Sequence, residues 1–245
     1  MDINWKLFES EGPVFGTSIH SGHYIRESIQ KKMKISDNKR RYEEDPLTDH
    51  FALLCDQALI CHNSRFEVDL NRERAKAIYD QPEDAWGLEI WKEKLTQEDI
   101  NISLKSYDAF YKSMRDFFEK LFQKHDKILL LDFHSYNQRG STKFPDIDLG
   151  FTTVNQDKFS NIATSFHNSL KLNSSQFSTG INERFEDGGH WPEWVYDNYK
   201  DKICTITVEF KKCFMDENTG LADLAKLDQL KLGIRRAIAD VREFL

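Results

Sequence analysis

Two histidines, His20 in "SIHSGHYI" and His134 in "KILLLDFHS", each close an apolar run of strand length. Neutral imidazole and carboxylate are the usual ligands of a hydrolytic zinc. Such a zinc keeps one position open for water and lowers the pKa of that water to about 7. Carboxylates and arginines recur at similar places: Glu209 near the end of "ICTITVEF", and Arg65, Asp69, Asn71 and Arg72 in "HNSRFEVDLNR". A carboxylate beside activated water can carry its proton to a leaving amine. On a buried strand Glu209 is costly unless paired, and an outward-facing strand-end glutamate is the simpler alternative. Any one of these residues alone reads as a satisfied polar group. Four strands delivering such groups to one edge argue for a site. His23, three residues after His20, is either a further ligand or a neighbour.

The elements that must position these residues follow from hydrophobic periodicity. Strands are expected at 13–20, 58–64, 127–135, 146–151 and 202–210. Helices are expected at 48–57, where Thr48 is a plausible cap, and at 102–124. In the latter, Leu104, Tyr107, Tyr111, Met114, Phe118, Leu121 and Phe122 recur at three- and four-residue steps and read as core. A C-terminal helix at about 221–245 carries Leu227, Leu230, Ile234, Ala237, Val241 and Leu245. Asn71 reads as the cap of a further helix over "RERAKAIYD". Strands separated by helices imply a mostly parallel mixed sheet covered on both faces, hence one three-layer α/β/α domain over 1–245. Ligands of such sheets bind beyond the carboxyl ends of the strands, where the polar residues fall.

Composition narrows the partners. The 245 residues are 39% hydrophobic and 31% charged, with net charge −7 and eighteen phenylalanines. That is material for a sizeable core under a charged surface. No basic patch dominates, which argues against nucleic acid and anionic membrane as partners. The apolar runs are far short of a membrane span. "MDINWKLFESEGP" lacks a basic start followed by an apolar stretch, so a cytoplasmic location is expected. Cys55, Cys61, Cys204 and Cys213 form no CxxC pair, which argues against both a disulfide scaffold and a cysteine zinc site.

Several of these segments together resemble the N-formylglutamate amidohydrolase family, which is related to the zinc carboxypeptidases. The matching segments are "IHSG" (19–22), "EEDPLTDHF" (43–51), "SRFEVDLNR" (64–72), "DFHS" (132–135), "DIDLG" (146–150), the glycine pair 188–189 and "VEFKKCFMDENTG" (208–220). The resemblance implies a phosphorylase/hydrolase-like α/β fold and a zinc cofactor. It implies His20 and His134 as ligands and Glu209 as general base. It also implies that Asn71 and Arg72 hold a substrate carboxylate, a contact suited to the planar fork of arginine. Arg65 or Arg139 would add an anion contact or polarise the scissile carbonyl. For the third ligand the resemblance favours Asp45 over His23, with Asp49 and Glu44 behind. His190 stands where the family usually has an aromatic residue after the paired glycines, which puts formylglutamate itself in question as substrate. The implied activity is zinc-dependent cleavage of an N-acyl amino acid, a small-molecule substrate. The alternatives are a small-ligand-binding protein without catalysis on the same fold, or a zinc peptidase acting on small peptides.

Overall fold

The computed structural model describes residues 5–185, 188–217 and 219–245. A seven-stranded mixed sheet forms its middle layer. The strands are β1 (Trp5–Phe8), β2 (Val14–Ser18), β3 (Gln57–Cys61), β4 (Ile128–Tyr136), β5 (Ile147–Gly150), β6 (Thr179–Ile181) and β7 (Ile203–Lys211). Their spatial order is β1-β3-β2-β4-β7-β5-β6. The central four, β3, β2, β4 and β7, are mutually parallel, while β1 and β5 run antiparallel to their neighbours β3 and β7. The expected mostly parallel α/β fold is the one observed.

Side-chain alternation explains the layers. Leu129, Leu131 and Phe133 of β4 and Cys204, Ile206, Val208 and Phe210 of β7 face one core. That core is closed by the helices α3 (Asp49–Ala52), α5 (Gln156–Asn173) and α7 (Leu224–Val241). The opposite set, Ile128, Leu130 and Ile203, packs with Phe15 of β2 under α4 (Gln97–Leu121) and α6 (His190–Tyr199). Two short helices, α1 (Glu27–Gln30) and α2 (Asp37–Glu43), lie in the segment between β2 and α3. None of the helices among the described residues is long and apolar enough to cross a membrane.

The expected elements differ from the observed ones for local reasons. The α4 helix begins five residues before the expected start at 102, because Thr96 and Asp99 form a capping box. The expected helix at 48–57 is one turn, and "RERAKAIYD" forms only a 3₁₀ turn at Arg74–Lys76, so Asn71 caps no α-helix there. Strands β1 and β6 and helices α5 and α6 had no counterpart in the sequence reading. The two strands are short and lie toward the two ends of the sheet.

Phe51 of α3 ties the first core together. It is fully buried and stacks on Phe210 at 4.2 Å between ring centroids, with Phe133 and Phe214 each at 6.0 Å. Phe51→Ala is expected to cost about 3–5 kcal/mol, from lost burial plus an unfilled cavity. Urea unfolding checks this; a loss below about 1 kcal/mol would contradict the packing.

Candidate functional site

The face of the sheet under α4 and α6 changes character toward the carboxyl ends of its parallel strands. Along β4 the residues on this face run Ile128, Leu130, Asp132, His134, Tyr136; along β7 they run Ile203, Thr205, Thr207, Glu209. Strand register sets His134 beside Glu209, and Glu209 is in turn paired with Asp148 of β5.

His20 lies two residues past β2, on a turn that needs Gly22. A Cβ on Gly22 would meet the backbone carbonyl carbon of His62 at 2.2 Å. That close approach accounts for the glycine of the "HSG" segment. Asp45 sits on the connection between α2 and α3 and is held from three strand ends. Its N–H donates to the His20 carbonyl (3.0 Å). The buried ammonium of Lys212, just beyond β7, donates to the carbonyls of Tyr42 (2.6 Å) and Glu44 (2.7 Å). The Asn137 amide, just beyond β4, donates to Tyr42 as well (2.7 Å). Burial pushes the pKa of Lys212 down to about 8.

His20, Asp45 and His134 converge. One ligand atom from each lies within 4.8 Å of the others, and all three residues are buried. His134 Nδ1 is 3.0 Å and His20 Nδ1 3.5 Å from the same atom, Asp45 Oδ2. The far nitrogens are already committed. His20 Nε2 pairs with Asp69 Oδ1 (2.7 Å) and His134 Nε2 with Asp132 Oδ2 (2.8 Å). Because an ionised carboxylate only accepts, each Nε2 carries the proton and each Nδ1 presents a lone pair when the ring is neutral. His20 Nδ1 is buried and lacks a hydrogen-bond partner. Two imidazole lone pairs and a carboxylate oxygen, with carboxylates behind both rings, are a donor set that fits a divalent cation such as zinc. Without the cation, burial disfavours charge on His134, but Asp132 outweighs it and raises the pKa. Burial likewise opposes ionisation of Asp45, yet the bond from His134 and the nearby His20 ring hold it below the carboxylate range.

The supporting carboxylates are themselves fixed. Asp132 accepts from the Thr17 hydroxyl (2.6 Å), and the Trp191 indole N–H donates to Thr17 Oγ1 (3.3 Å). Asp69 accepts from Arg65 (2.9 Å), the Asn71 N–H (2.8 Å) and the Tyr79 hydroxyl. Burial would raise Asp69, and the Arg65 charge reverses that.

A cavity of about 230 Å³ opens over this group, with Glu209 and the residues of the converging group in its wall. Glu209 is partly open to the cavity but otherwise enclosed, and burial raises its pKa to about 7, with the charges of Asp45 and Asp132 adding to the effect. All four residues named for substrate contact, Arg65, Asn71, Arg72 and Arg139, also line the cavity, in different circumstances. Arg72 is exposed and has no ion pair among the described residues. Arg65 pairs with Asp69 and Arg139 with Glu43, and both guanidiniums lie over the Trp86 indole, at 4.9 and 5.2 Å. Asn71 is committed to the glycine loop: its amide donates to Gly188 O (3.0 Å) and accepts from the Trp191 N–H (2.8 Å). Gly189 has φ +85°, and a Cβ there would meet the Asn71 amide at 2.5 Å.

His23 does not join the converging group. Its Nδ1 lies 2.5 Å from Glu44 Oε2, and Glu44 also accepts from Arg40. His190 opens α6 and lines a neighbouring groove with Tyr111 and Trp194, not this cavity. Asp132, Thr17, Trp86 and Arg184 were not singled out from sequence. Asp132 had a signal, since a residue two before His134 on a strand must share its face. Trp86 and Arg184 sit on loops with no periodicity.

Buried histidines backed by carboxylates, a facing carboxylate and a glutamate that titrates near neutrality, at the carboxyl edge of a parallel sheet, are the equipment of a hydrolase. Comparison with known families is specific. The profile of the N-formylglutamate amidohydrolase family matches residues 12–215, and the chain belongs to that family. Two solved structures share the fold. One is an N-formylglutamate amidohydrolase from Ralstonia eutropha JMP134, with 17% identity, 98% of this chain and 99% of that chain covered, and a TM-score of 0.77. The other is a gene product of Agrobacterium tumefaciens, with 14% identity, 96% and 95% covered, and a TM-score of 0.67. No curated protein sequence matches the chain.

The raised pKa of Glu209 has a consequence for stability. A carboxyl whose pKa is higher in the folded than in the unfolded chain stabilises the fold fully below the unfolded value. That contribution is lost as pH rises through the folded value. Relative to Glu209→Gln, metal-free protein should therefore lose stability between about pH 4.5 and 7. Chemical denaturation at several pH values reads this; parallel curves for the two proteins would refute the assignment.

Proposed function

We propose that the chain is a metal-dependent amidohydrolase that cleaves the amide of an N-acyl amino acid of the N-formylglutamate type. The observation that carries this reading is the convergence of His20 Nδ1, His134 Nδ1 and Asp45 Oδ2 beside Glu209, with both Nε2 atoms already held by buried aspartates. These three residues would hold zinc. Bound there, zinc would supply the Lewis acidity that polarises the scissile carbonyl and makes water nucleophilic at neutral pH.

The chain's own residues perform the rest. Glu209 takes a proton from the attacking water on a carboxylate oxygen and returns it to the amine nitrogen as the amide breaks. A pKa raised toward 7 suits both halves of that exchange. Arg72 anchors the substrate α-carboxylate, because it is an exposed cavity arginine that no carboxylate holds among the described residues. Arg65 holds Asp69, and through it His20, while Arg139 sits over Trp86 at the mouth, available as a further anion contact. Asn71 positions the glycine loop that lines the cavity, a role different from direct capture of the carboxylate.

Glu209→Gln should abolish hydrolysis of N-formyl amino acids while zinc content stays stoichiometric. Near-normal turnover would remove Glu209 from the proposal. Asp132→Asn should weaken zinc binding about 10- to 100-fold, since the carboxylate that fixes the His134 ring is lost. Competition with a chelator of known affinity measures this; an unchanged affinity would contradict the ligand assignment.

A further inference from the structure

Arg184 has no part in the chemistry above, yet its side chain lines the same cavity. It lies on the loop after β6, and that loop is fastened to β5. The N–H groups of Glu183 (3.1 Å) and Arg184 (2.7 Å) donate to the two carboxylate oxygens of buried Asp148, the strand partner of Glu209. The guanidinium carbon of Arg184 lies 4.7 Å from the ring centroids of Phe144 and Phe185 and 5.7 Å from that of Tyr136. Its Nε is buried without a hydrogen-bond partner, and among the described residues no carboxylate lies within ion-pair distance of it.

The contrast with Arg65 and Arg139 is chemical. Those two are neutralised by Asp69 and Glu43. Arg184 is held by aromatic faces, which orient a guanidinium without cancelling its charge. A guanidinium stays charged at any working pH, and beside apolar walls an incoming anion feels it less screened than in water. We infer that Arg184 forms a second anion subsite that receives a carboxylate on the substrate's side chain. It thereby selects N-acyl amino dicarboxylates over their uncharged amides. Arg72 and Arg184 would then divide the two carboxylates of one substrate between them. The inference rests on the reading of the cavity under Proposed function.

The test uses the full zinc-loaded chain as wild type, Arg184→Gln and Arg184→Lys. Turnover of N-formyl-L-glutamate is compared with that of N-formyl-L-glutamine, which has the same shape without the side-chain charge. The ratio of kcat/KM for the two substrates should favour glutamate in the wild type. It should fall about 10- to 100-fold in Arg184→Gln, the range for one charged hydrogen-bonded contact, and lie between in Arg184→Lys. Equal losses on both substrates would show a merely structural role, and an unmoved ratio would show no contact; either overturns the inference. Calorimetric binding of L-glutamate against L-glutamine to the same proteins needs no turnover. If the wild type hydrolyses neither substrate, the proposed function fails. Binding then decides Arg184 separately: a glutamate preference that shrinks in the variants supports the subsite, and one that does not shrink refutes it. Should Arg184→Gln not fold, Arg184→Lys carries the same comparison.

Discussion

The site depends on two hydrogen bonds that do not face the cavity, His20 to Asp69 and His134 to Asp132, both buried. Each consumes one ring nitrogen and so fixes which nitrogen the other side of the ring presents. With those bonds in place, both Nδ1 atoms point at one oxygen of Asp45. Without them the rings could rotate or change tautomer, and the lone pairs would no longer converge. The two carboxylates are therefore surrounded by their own supports: Thr17 and Trp191 behind Asp132, Arg65 and Tyr79 behind Asp69. A buried charge costs free energy unless it is paired and bonded, and here every buried charge behind the rings is.

The same economy shapes the cavity. Its arginines fall into two kinds. Those paired with carboxylates, Arg65 and Arg139, hold the walls and the mouth together around Trp86. Those without such a partner among the described residues, Arg72 and Arg184, leave positive charge for a ligand. Opposed to them are Asp45 and Glu209 beneath. A small molecule with anionic ends and an amide between them matches that distribution of charge.

Much of this was legible in the sequence. The parallel strands that carry the site are continuous apolar runs ending in polar residues, and that pattern gave β2, β3, β4 and β7 and, from them, the sheet. His20, His134 and Glu209 stood out as polar residues at those ends. Other parts were not legible, for physical reasons. Short strands such as β6 owe their existence to pairing rather than to their own pattern. The helix expected over "RERAKAIYD" does not form because this segment is tied into the site instead, with the Asp69 N–H bonded to the Ala77 carbonyl and the Tyr107 hydroxyl to that of Arg72. That Asp45 and not His23 lies beside His20 and His134 follows from the path of a loop, and no periodicity reports where a loop goes. Arg184 was hidden for the same cause, since beyond its neighbour Phe185 its environment comes from Tyr136 and Phe144 on another segment.

The most direct measurement of the central claim is an anomalous difference map at the zinc edge, from crystals of protein purified without chelator and reconstituted with zinc. The account predicts one fully occupied peak bound by Nδ1 of His20, Nδ1 of His134 and the Asp45 carboxylate. A peak reached through Nε2 of either histidine, a site that includes His23 in place of Asp45, or no peak between these residues would contradict it.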